Sequence, residues 1–175
     1  MNQLSHRSAW ALLPSSLIAA TIACVPPALA QSKANAVVGK NGSDWIVNCG
    51  NQSGQASEFC TMSQTVLETQ SRKRLVSATI VKDSEAWAMG LLLPHGLDLT
   101  SGVAVSIDDG TTTRYPFKTA DKHGAYVRVA LPSKMIADMK SGQVMRIGVV
   151  SAGNQSAKME LSLTGFSGSL ELMDR

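Results

Sequence analysis

Residues 44–64 read DWIVNCGNQSGQASEFCTMSQ, two short apolar runs that meet a cysteine each, with a Gly/Asn/Ser/Gln-rich stretch between them. Trp45, Ile46 and Val47 favour a pleated strand, Asn51 to Gly54 favours turns, and the β-forming pattern resumes at Phe59. The pattern predicts a hairpin whose antiparallel strands bring Cys49 and Cys60 together as a disulfide. A bridge between positions 11 residues apart removes enough unfolded-chain entropy to contribute about 3 kcal/mol. That is a sizeable part of the ~5–15 kcal/mol that holds an ordinary domain folded.

A disulfide needs an oxidising compartment, and the N-terminus supplies a route to one. Met1 to Arg7 is short with a positive charge at Arg7, Ala9 to Leu29 is small and apolar, and Ala28-Leu29-Ala30 has the small-x-small form of a cleavage site. Residues 1–30 are therefore predicted to be a cleaved signal peptide, with Gln31 as the mature N-terminus. Pro14 and Pro26-Pro27 interrupt the apolar run and no second stretch of ~20 apolar residues follows, so no integral membrane span is expected in the mature chain. Cleavage removes Cys24, which turns three cysteines into the pair Cys49 and Cys60. A competing reading makes Cys24 a lipid-bearing cysteine after Thr21-Ile22-Ala23, but Thr21 fits that motif poorly and Val25-Pro26 is an awkward mature start.

Removing 30 residues from 175 leaves 145, enough for one domain with a real core. Arg7 is the only charged residue lost, so the formal charge falls from +3 to +2. Basic residues are scattered, with Arg72-Lys73-Arg74 the single cluster, and aromatics are few. This argues against a nucleic-acid partner and for a solvated turn at the triplet. Residues 31–43 are small and polar, with Gly39 and Gly42, and are predicted to be a flexible lead-in to a domain over 44–175.

From Asp44 onward, β-forming stretches alternate with Gly, Pro, Asp and Asn, which predicts a mainly β fold: an antiparallel β-sandwich or barrel-like domain. Strands are predicted over Arg74–Val81, Trp87–Leu93, Val103–Ile107, Thr111–Phe117, Ala125–Leu131, around Met145–Val149 and over Lys158–Leu163. Trp87–Leu93 is so apolar that it reads as covered on both faces. Asp108-Asp109-Gly110 reads as a hairpin turn. Pro132 to Lys140 shows one short internal helix, with Met135, Ile136 and Met139 on one side, and Phe166, Leu170 and Met173 recur at the spacing of a C-terminal helical turn.

Several stretches together resemble the exported invasion-associated locus B (IalB) proteins of Gram-negative bacteria. They are Trp45-Ile46-Val47-Asn48-Cys49, Phe59-Cys60-Thr61-Met62-Ser63-Gln64, Leu93-Pro94-His95-Gly96-Leu97 followed by Gly102-Val103, Ile107-Asp108-Asp109-Gly110, Tyr115-Pro116-Phe117 and Leu161-Ser162-Leu163-Thr164-Gly165-Phe166. The resemblance implies an exported, mainly β domain, periplasmic or at the outer surface, linked in some pathogens to host-cell invasion or virulence. It implies no catalytic residue and no cofactor. The family commonly carries a second cysteine pair, and anchoring on Phe117 and Gly124 places those positions at Ala120 and Ala125.

The residues that known site chemistry would need are few. His95 and His123 are the bases available to a nucleophile in the mature chain, and both fall in predicted turns. Gly165-Phe166-Ser167-Gly168 is not a nucleophile elbow, no zinc-ligand or calcium-loop spacing occurs, and Gly39 to Ser43 lacks the ending of a phosphate-binding loop. The mature methionines, spread over strands and helices, read as core filling. The function expected is a non-enzymatic β-domain acting through an envelope or host component; the alternative is a small exported hydrolase with an unrecognised site.

Overall fold

A computed structural model describes residues 35–38, 43–51, 58–83 and 86–174. The signal peptide with Cys24, its cleavage site and most of the turn between the two cysteines lie outside the described residues. The elements run β1 (Asn35–Val38), β2 (Ile46–Asn51), β3 (Glu58–Leu67), β4 (Arg74–Asp83), β5 (Ala86–Leu93), β6 (Val103–Ile107), β7 (Thr113–Tyr115), β8 (Phe117–Asp121), β9 (Gly124–Leu131), α1 (Ser133–Ser141), β10 (Val144–Val150), β11 (Ser156–Ser162) and α2 (Phe166–Met173). The β1 strand, paired along β2, lies within the 31–43 lead-in.

Seven strands form one sheet in the order β1-β2-β3-β4-β5-β9-β8, and four form another in the order β11-β10-β6-β7. Every pairing among the described residues is antiparallel. Among the described residues the fold is mainly antiparallel β with two helices, as its alternating pattern demands: side chains two apart share a face, so each strand buries one set and exposes the other. In register across the large sheet, Val47, Met62, Ile80, Met89 and Val129 form a single row with no solvent exposure. Val105, Ile147 and Met159 form a matching row in the small sheet. Burying side chains of this size contributes about 1.5–3 kcal/mol each before entropy is subtracted. All the methionines from Met62 onward are buried in this core except Met135, which is half-buried.

Two expectations need correction. Thr111–Phe117 is not one strand: β7 belongs to the small sheet and β8 to the large one, with Pro116 between them. Proline has no N–H to give a ladder, so the chain leaves one sheet there and enters the other. β5 is not covered on both faces. Met89, Leu91 and Leu93 face the core, whereas Gly90 is exposed and Leu92 half-buried on the opposite face.

The helices close the sandwich. α1 begins after Pro132, whose φ of −65° and missing N–H suit a helix start, and ends where the Gly142 N–H donates to the Asp138 carbonyl at 2.8 Å. α2 is longer than the single turn expected. It buries Phe166, Ser169, Leu170 and Met173 against β2, β3 and α1.

Candidate functional site

Cys49 and Cys60 are register partners in the β2–β3 hairpin and are joined as a disulfide, with Cα atoms 4.1 Å apart. Both are half-buried against the core, so the bridge staples the start of the large sheet to the packed interior. Beside it lies a clasp that spans the chain. The indole N–H of Trp45 and the Nε2 of Gln64 both donate to the Ser162 carbonyl at 3.0 Å, and Gln64 also reaches the Asp44 carbonyl at 3.3 Å. The Trp45 ring meets Phe166 edge-on at 5.7 Å. Gln64 is 8% exposed, a buried polar side chain whose donors are satisfied, and it ties the large sheet to the edge of the small one. In the sequence only its alternation with Met62 marks it as inward, and nothing there names its partners.

The remaining candidates stay apart. His95 and His123 are exposed, and among the described residues neither ring bonds a hydroxyl or a carboxylate. His123 acts through its backbone: its N–H donates to Asp121 at 2.8 Å, and its carbonyl accepts from Arg74. That N–H, with the Tyr126 hydroxyl, holds the Asp121 carboxyl below the usual carboxylate range. Asp108, at φ +46°, accepts the backbone N–H groups of Gln143 and Val144, while Asp109 pairs with Arg146 at 3.0 Å. The acidic turn therefore fastens the start of β10. No group of three metal-ligating side chains occurs among the described residues.

Between α1 and the β6–β7 hairpin lies a cleft of about 530 Å³, lined by apolar Val105, Ile107, Tyr115 and Met135 and by polar Thr111, Thr113, Asp108 and Asp138. Its carboxylates are engaged, Asp108 as above and Asp138 by Lys134 at 2.9 Å, so the cleft presents no unpaired acid. The outer face of the large sheet is more open. Thr61, Ser63 and Thr65 of β3, Ser77, Thr79 and Val81 of β4, Gly90 and Leu92 of β5, and Tyr126 and Arg128 of β9 lie on it by register. Ile46 and Phe59 project from the same face at 47% and 38% exposure. Trp45 is fully buried, whereas Trp87 is half-buried, with the Lys82 ammonium 5.4 Å from its ring centre.

The architecture defines a class: a small antiparallel β-sandwich stapled by a hairpin disulfide, with a broad sheet face left open. The family is set by comparison, since the model of the invasion associated locus B (IalB) proteins matches residues 45–174. An invasion protein B homolog of Brucella abortus strain 2308 is 30% identical over 130 residues, covering 73% of this chain and 74% of its own length, and its counterpart in strain 9-941 matches equally. The crystal structure of invasion associated protein B from Bartonella henselae shares the fold at a TM-score of 0.70, covering 78% of this chain and 94% of that one at 20% identity. The chain belongs to the IalB family. Among its described residues, no helix is long and apolar enough to cross a membrane.

Proposed function

We propose that this protein is exported across the inner membrane of a Gram-negative bacterium, loses residues 1–30, and works without catalysis as a contact module for an envelope or host component. It would then reside in the periplasm or at the outer surface, with residues 31–43 as lead-in to a single domain over 44–175. The observation that carries this reading is the outer face of the large sheet, where Ile46 and Phe59 stand exposed on a broad surface of small hydroxyl side chains. Ile46, opposite Ser63, and Phe59, opposite Gly50, offer two separate apolar anchors on one face for a partner to cover. The invasion names of the Brucella and Bartonella relatives, and a disulfide that needs an oxidising compartment, support export and host contact.

The test is capture of partners from envelope and host-membrane extracts by the wild-type chain and by an Ile46→Ser/Phe59→Ser variant. Wild type is expected to retain a specific partner that the variant loses while keeping its melting temperature. Equal capture by both would reject the outer face as the contact surface. The hydrolase reading would require His95 or His123, so His95→Ala and His123→Ala variants are expected to leave the biological phenotype intact.

A further inference from the structure

β11 is the outermost strand of the small sheet, and among the described residues no strand pairs with its far edge. Its ladder with β10 runs from Val144↔Ser162 to Val150↔Ser156 without a register shift, and it contains no proline. Two of the devices that normally blunt an edge, a proline and a bulge, are thus missing, in contrast to β8, where a register irregularity between Phe117 and Thr119 disrupts the edge, and the guard left on β11 is its charged pair Lys158 and Glu160. Parity shows which groups are free. Leu163 donates to Gln143 beside β10, whereas the Ser162 carbonyl turns away to Trp45 and Gln64. By the antiparallel alternation, the N–H and C=O groups of Ser156, Lys158 and Glu160 also point out of the sheet.

The side chains on that edge are complementary to themselves. Charges alternate across the outer face of the small sheet: Asp109 pairs with Arg146 at 3.0 Å, and Arg146 with Glu160 at 3.1 Å. There the series stops at the edge. Lys158 is exposed, stands opposite Gly148, and has no carboxylate partner among the described residues. We propose that β11 pairs antiparallel with β11 of a second copy of this chain, about a two-fold axis at Met159, joining the two small sheets into one of eight strands.

That register sets Lys158 opposite the partner's Glu160, and Glu160 opposite the partner's Lys158, so the alternating charges continue across the boundary. Registers centred on Lys158 or Glu160 set like charges together, and those centred on Ala157 or Leu161 leave both charges without a mate. Like charges directly opposite destabilise a strand pair and opposite charges support it, so the choice of register is electrostatic. At the axis Met159, 9% exposed, meets the partner's Met159 at the lip of the core.

Sedimentation equilibrium of the processed chain at low salt tests this. Wild type is expected to show a monomer–dimer equilibrium that weakens as salt is raised. Lys158→Glu places two acidic pairs across the axis and is expected to raise the dissociation constant about tenfold or more. The swap Lys158→Glu/Glu160→Lys restores both pairs and is expected to recover most of that loss. Because Glu160 also meets Arg146, far-UV dichroism and melting temperature are compared for each variant. A wild type that stays monomeric at millimolar concentration, a dimer indifferent to Lys158→Glu, or a charge-swapped chain no better than the single variant would each overturn the proposal.

Discussion

Gly165 sits at φ +77°, and a Cβ there would lie 2.3 Å from the Ser43 hydroxyl. Both facts call for glycine: the left-handed conformation costs an ordinary residue about 1–2 kcal/mol, and the serine backbone blocks any side chain. Gly165→Ala is expected to lower stability by about 2 kcal/mol or more in urea titration, and adding Ser43→Gly to recover only part of it, since the φ cost remains. Gln64→Leu leaves the Asp44 carbonyl without its side-chain donor and the Ser162 carbonyl with only Trp45, a loss expected to be about 1–3 kcal/mol by the same titration. Replacing Cys49 and Cys60 with alanine is expected to cost about 3 kcal/mol, the entropy of a closed loop of 11 residues. The cysteines were legible in the sequence because pairing arithmetic leaves them one choice. Gln64 was not, because its partners stand 20 and 98 positions away.

Alternation of apolar and polar residues shows where a strand lies but not which sheet it joins, so β4, β9 and β10 were readable and the β7–β8 switch at Pro116 was not. The same limit applies to β5: an apolar run reads as doubly covered, and only the assembled sheet shows Gly90 facing outward. The β8–β9 hairpin turns so tightly, through Lys122 and His123, that Ala120 and Ala125 become direct register partners. Their Cα atoms then fall inside the ~7 Å limit for a bridge. Introducing Ala120→Cys with Ala125→Cys is expected to form a second disulfide beside Cys49–Cys60, seen as the absence of free thiols in the unfolded, unreduced chain, with a gain of at most about 2 kcal/mol. In the turn after β5, the Ser101 hydroxyl, with the Thr100 hydroxyl and N–H, holds the carboxyl of half-buried Asp98 at about 2 against an ordinary 3.8. The folded value lies below the unfolded one, so this contribution is complete above pH ~4 and drains away as pH falls toward 2. Melting temperature followed over that window is expected to fall less steeply for Asp98→Asn than for wild type.

At the scale of the molecule, each sheet buries one face and leaves the other to solvent: a broad hydroxyl and apolar surface on seven strands, and a charged surface on four. Sequence periodicity gave the two-faced character of the strands, and the ordered motifs gave the family. Function was less legible because contact surfaces are built from ordinary residues on neighbouring strands, with no spacing of their own. The clasp between Trp45 and the end of the chain also sets a timetable. Ring contact with Phe166 and the bond to the Ser162 carbonyl join positions 121 and 117 residues apart, so Trp45 lacks these two contacts until almost the last residue has arrived. A chain threaded through a membrane from its N-terminus would emerge with its hairpin ready to oxidise but its interior still wet. The disulfide can form early, whereas the core must wait for α2. An emerging chain would thus pass through a stapled, incompletely packed state whose open side is the one Trp45 lines, and a chaperone or protease meeting it during transit would find that side first.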